Sequence, residues 1–230
     1  MTAAGPICTS ISRIATSLLF ALLATTATSA QGFLRLERDT VAFFRGFSVG
    51  VDLAGALQMQ LSDYGQYEAL LRLNLHDQYF PTLEIGYGKA SHENDVTTGI
   101  SYHTKAPYFR LGADVNLMKN KHTGNRIFIG LRYAFTYYKI DLEREPFPDP
   151  VWKWTTSYGV KDESCNQHWA EVLFGIDSKV VGPLHLGWSV RYRRRLFHDD
   201  GRTEKTWYVP GYGIQENTRL GYTFNMLIDI

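Results

Sequence analysis

The sequence predicts an all-β protein: eight strands in an antiparallel, up-and-down β-barrel, with short turns at one end and long loops at the other. Three observations lead there. Hydrophobicity alternates with period two over segment after segment, the connections alternate in length, and the polar face repeats glycine with charges of both signs.

The alternation defines the strands. In the last segment Leu220, Tyr222, Phe224, Met226 and Ile228 share one parity, and Arg219, Gly221, Asn225 and Asp229 the other. The same sorting places strands near 46–56, 67–75, 81–90, 107–118, 126–140, 168–179, 184–196 and 218–230. Pro81 and Pro107 are expected to open strands, and Pro183 to precede one, because proline cannot donate to a ladder. Connections 76–80, 119–125 and 180–183 are short; those near 57–66, 91–106, 141–167 and 197–217 are long.

The polar face carries Gly50, Gly86, Gly88, Gly112, Gly130, Gly175, Gly187 and Gly221, which weaken an exposed strand but make room in a narrow interior. Its charged members include Asp52, Glu68, Arg72, Glu84, Arg110, Asp114, Arg132, Glu171, Asp177, Lys179, Arg191 and Arg193. These are expected to form a structural charge network in the lumen, where arginine suits confined, multidentate pairing better than lysine. The other parity is bulky and apolar in all eight strands. About eight strands enclose only enough space for side chains, so this load must face outward, toward lipid. Tyr87, Tyr137, Trp188, Tyr192 and Tyr222 then suit interfacial girdles.

Residues 1–30 read as a cleaved signal peptide: Arg13, an apolar run from Ile14 to Ala24, and small residues up to Ala30. Residues 31–45 would be a periplasmic segment and 46–230 the barrel. Of 24 Lys+Arg and 23 Asp+Glu, cleavage removes one basic residue and leaves a neutral chain. Such a balance argues against a nucleic-acid partner. Cleavage also removes Cys8, so Cys165 would be a lone thiol in the longest loop, without an intramolecular disulfide.

Chemistry-bearing motifs are few. Gly46-Phe47-Ser48-Val49-Gly50 matches a nucleophile elbow, but strand alternation runs through it where that chemistry needs a strand-to-helix turn. His185 and Ser189 share the inward face about 13 Å apart along the strand, too far for a direct nucleophile–base pair. His198-Asp199-Asp200 has no second group of spaced ligands, so no metal or cofactor is expected. In Arg191-Tyr192-Arg193-Arg194-Arg195, parity sends Arg191, Arg193 and Arg195 inward. Either the inward three pair in the lumen, or Arg194, turned toward the outer interface, holds anionic glycolipid phosphate with the adjacent rim. Trp152 and Trp154, behind Pro146, Pro148 and Pro150, either contact a surface glycan or protein or belong to a hairpin that extends above the membrane with its aromatics packed on its own rim.

The segments Val49-Gly50-Val51-Asp52-Leu53, Tyr108–Asn116, Ile129-Gly130-Leu131-Arg132-Tyr133, His168-Trp169-Ala170-Glu171, Gly187–Arg191 and Tyr208-Val209-Pro210-Gly211 resemble a family of small Bacteroidetes outer-membrane proteins of unknown function. The resemblance implies an outer-membrane barrel and supplies no activity to carry over. The expected role is therefore structural or surface-binding, through long extracellular loops above a plugged lumen with short periplasmic turns. Two alternatives remain: a lipid-modifying hydrolase or acyltransferase, and a soluble periplasmic ligand-binding barrel.

Overall fold

A computed structural model describes residues 41–95, 99–148, 155–201 and 206–230. The signal-peptide reading of residues 1–30, and Trp152 and Trp154, lie outside the described residues. The elements in chain order are β1 (Phe44–Asp52), helix α1 (Leu53–Leu61), β2 (Tyr64–Leu75), β3 (Tyr79–His92), β4 (Ile100–Asn116) and β5 (Arg126–Pro148). They continue with β6 (Thr155–Val181), β7 (Leu184–Asp199), β8 (Tyr208–Val209), β9 (Gly213–Ile214) and β10 (Thr218–Asp229).

Eight of the strands close into an antiparallel ring, ordered β1-β10-β7-β6-β5-β4-β3-β2, with each long strand beside its chain neighbours. β1 and β10 shut the ring in the register Ser48↔Asp229 to Asp52↔Asn225. Phe47 and Ile230 extend that seam by exchanging backbone hydrogen bonds of 3.1 and 2.8 Å. The separate pair β8 and β9 forms a small hairpin.

Alternation survives as burial. Along β3, Thr82, Glu84, Gly86, Gly88 and Ala90 are buried, while Leu83, Ile85, Tyr87 and Lys89 are exposed. The outward face is apolar around the ring: Leu111 is 64% exposed, Leu131 65%, and Leu220 and Tyr222 70% each. The inward face holds the buried charges.

Three parts differ from the sequence expectation. Residues 53–56 are helical, because the Asp52 carboxylate accepts from the backbone N–H groups of Ala54 and Gly55, both at 3.1 Å, and caps α1. The segment 141–167 is largely strand: β5 and β6 run on as a hairpin from Leu142↔Val160 to Pro148↔Thr155, past a bulge after Ile140. Cys165 therefore lies in β6 opposite Tyr138, with its side chain buried. Finally, Pro107 sits inside β4. It pairs with Tyr87 of β3, and the ladder to β5 steps from Thr104↔Ile140 to Tyr108↔Thr136 across it. The Pro107 carbonyl is met instead by the Thr136 hydroxyl at 2.9 Å.

Candidate functional site: the interior charge network and its plug

The inward parity delivers acids and bases to one level of the ring. Cross-strand register sets Glu84 opposite Arg110, and Glu171 opposite both Arg132 and Arg193. Other pairs span the interior between strands that are not neighbours. Arg191 of β7 reaches Glu84 of β3 at 2.6 Å, and Arg132 of β5 reaches the same carboxylate at 3.1 Å. Arg110 contacts Glu68, Glu84 at 3.1 Å and Glu171 at 3.1 Å. Arg193 lies 3.2 Å from Glu171. All of these side chains are buried.

A second level lies toward the short turns. Arg72 pairs with Asp177 at 2.8 Å and approaches Asp114 at 3.6 Å, while Arg132 holds Asp114 at 2.7 Å. Arg126 bridges Asp177 at 3.5 Å and Asp229 at 3.2 Å. Its guanidinium stacks over Phe80, 4.7 Å from the ring centroid.

Two expected members fall outside the network. Lys179 is exposed near the β6–β7 turn, where the strand parity gives out just before Gly182. Asp52 is buried but caps α1 and accepts from the Phe224 N–H at 3.1 Å, so its charge is spent on backbone donors. Arg126, in contrast, joins the network without having been singled out. Extending the parity of Phe128, Gly130 and Arg132 one step back would have identified it.

The central level holds four arginines, 110, 132, 191 and 193, against three glutamates, and backbone helps balance it. Segment 206–217 folds into the ring as the β8–β9 hairpin. Arg110 donates to the Gly211 carbonyl and Arg193 to the Tyr212 carbonyl, each at 2.8 Å. Gly211 turns at φ +81°, and a Cβ there would meet the Tyr108 ring at 2.4 Å. Gly86 leaves the space that the Tyr108 phenol occupies on its way to Glu68, to which it donates at 2.7 Å. Tyr208, Val209 and Tyr212 are buried in an apolar cluster with Tyr102, Tyr108, Ala134, Ile140 and Trp169. The hairpin is also tied at its stem. Gln215 donates to Asp200 at 3.0 Å, Thr206 bonds Gln215, and Tyr102 donates to the Tyr208 carbonyl at 2.6 Å. A void of about 90 Å³ between the hairpin, Asp52, Gln66 and Arg219 has room for a few waters.

The catalytic candidates do not assemble. The Ser48 hydroxyl donates to Asp229 at 2.6 Å, and His185 lies 3.0 Å from another oxygen of the same carboxylate. The acid thus stands between hydroxyl and imidazole, whereas nucleophile activation needs the imidazole between the other two. Ser189 bonds Thr223 at 2.7 Å instead of meeting His185. His198 lies 3.8 Å from Asp200, whose carboxylate is occupied with Gln215. No group of three or more metal-ligating side chains occurs among the described residues.

Ring, network and plug together draw on nearly all of the described residues. A family model described as a domain of unknown function (DUF6048) matches residues 9–229. No curated protein and no solved structure matches the chain. A match that takes in all eight ring strands and the inserted hairpin means that the chain belongs to the DUF6048 domain family.

Proposed function

We propose that the protein is an exported, integral outer-membrane barrel with a closed interior, holding its β5–β6 hairpin at the cell surface in a structural or surface-binding role. One observation carries this reading: a ring whose outward face carries large apolar side chains on every strand and whose interior is ionic. In water that arrangement leaves large apolar side chains exposed; in lipid it satisfies both faces. The plug supports the second half of the proposal. Arginine–glutamate pairs and the inserted hairpin occupy the space a pore would need. The extended hairpin, with Trp152 and Trp154 in its connection, is the part offered to a surface glycan or protein.

The test begins with expression of the full chain in a Gram-negative host. The protein should resist carbonate extraction, partition with detergent, and give no stepwise conductance in planar bilayers. A protein that stays monodisperse in detergent-free buffer and fractionates with periplasm would overturn the membrane assignment in favour of the soluble ligand-binding barrel. Steady ion conductance would overturn the closed interior alone.

A further inference from the structure

The charges of the network point inward. On the outward face, one group of lysines stands together. β3 and β4 set Lys89 directly opposite Lys105. The β4–β5 register is the same at Thr104↔Ile140 and Tyr108↔Thr136, so it sets Lys105 opposite Lys139. Three lysines therefore cross three adjacent strands in one row. One step nearer the short turns, about 6.8 Å along each strand, the same strands present Tyr87, Pro107 and Tyr137.

Like charges directly opposite one another destabilise a sheet. Lys139 has relief from Asp162 at 3.2 Å, an exposed pair. Lys89 and Lys105 have no carboxylate within ion-pair range among the described residues, and both are exposed. The row opens into a groove of about 880 Å³ between β3 and β6, whose lining adds Ser91, His103 and Asn166 as hydrogen-bonding groups. Asp141, Asp162 and Asp199 also line this groove. Asp162 is committed to Lys139, and Asp141 accepts from the Asp162 N–H at 2.8 Å.

We infer that this groove seats the phosphate of an anionic outer-leaflet glycolipid, with Lys89 and Lys105 as principal charges and the acyl chains lying on the Tyr87–Pro107–Tyr137 row. The inference rests on the membrane reading and adds a ligand class to it. A cationic row immediately above an aromatic and apolar row matches the order of headgroup and acyl chain in one lipid. A soluble anion would have no use for the second row. Arg194, the rim residue singled out in the sequence, lies elsewhere: it faces Thr218 on β10 and Ala170 on β6.

The experiment titrates the full chain, purified in non-ionic detergent, with phosphorylated lipid A, with its dephosphorylated form and with inorganic phosphate. Saturable binding of phosphorylated lipid A is expected. It should weaken at least tenfold on removing the phosphates, and equally in the triple variant Lys89→Gln, Lys105→Gln, Lys139→Gln. The matching triple Lys→Arg variant should restore it. Heat-modifiable gel migration checks that each variant keeps its barrel; if the glutamine triple does not, Lys105→Gln alone replaces it and should weaken binding at least threefold. Unchanged binding in the folded glutamine variants overturns the site. Inorganic phosphate binding as tightly as the lipid overturns the lipid assignment. A wild-type chain that is monodisperse without detergent overturns the membrane reading itself, which separates that failure from failure of the groove.

Discussion

The Arg110 guanidinium donates a 2.8 Å hydrogen bond to the carbonyl oxygen of Gly211, 101 residues later in the chain. This bond joins the middle of β4 to the tip of a connection between β7 and β10. It makes the plug part of the charge network. Gly211 holds a left-handed conformation against the Tyr108 ring, so a side chain there meets both backbone strain and a clash. Gly211→Val should cost more than the roughly 1–2 kcal/mol of left-handed backbone strain alone and should drive the hairpin from the ring. Limited proteolysis would then cut segment 202–217 in the variant while leaving the ring strands intact. A wild-type cleavage pattern would mean the hairpin is not held by this contact.

Glu84 receives Arg110, Arg132 and Arg191 together. Removing one partner of a buried ionic group leaves the others uncompensated, at about 3–5 kcal/mol. Glu84→Gln is expected to lower the unfolding free energy in urea by that amount. Lys179→Gln, on an exposed residue, should stay within about 0.5 kcal/mol of wild type.

Cys165 offers a test of the extended hairpin. Its side chain is buried, with the thiol toward the Glu163 carbonyl at 3.9 Å. A bulky maleimide should label the folded protein slowly and the urea-unfolded protein quickly, with a rate ratio above about tenfold. Rapid labelling of the folded protein would favour an open loop over residues 141–167.

At the long-loop end, His92 meets the Asp63 carboxylate at 2.8 Å. That hydrogen bond, aided by the charges of Asp63 and Asp95 against a small burial effect, raises the imidazole above its ordinary 6.5. Since the folded value is the higher one, the contact contributes fully below pH 6.5 and is lost as pH rises through the folded value. NMR titration should show His92 above 6.5 in the wild type and nearer to it in Asp63→Asn. The pair is solvent-exposed, so global stability should change little across this window.

Strand parity alone was enough to separate the apolar face from the charged one and to select ten of the twelve residues expected in the network. It worked because side chains alternate strictly along a strand, whatever lies on either side. It failed at Lys179, where the strand runs out into a turn, and at Asp52, where a carboxylate ends β1 and caps a helix. Length sorting identified the two ends of the ring and placed 141–167 among the long connections, with an extended hairpin as one of its two readings. Backbone pairing between β5 and β6 still extends into it, as far as Pro148↔Thr155.

What the sequence determined by itself was the period-two division into two faces, hence eight strands and which residues turn inward. Only the tertiary structure decided which inward charges meet, because height in a closed ring depends on register across all eight strands. Glu84 and Arg191 are 107 residues apart and on strands that are not neighbours, yet they pair at 2.6 Å. The same holds for the plug. Tyr208-Val209-Pro210-Gly211 lies in a connection without strand alternation, and the space beside Gly88, where Pro210 lies, together with the Arg110 and Arg193 donors inside the ring, fixes where it goes. A local pattern records which way a side chain faces; closure of the ring sets what it faces.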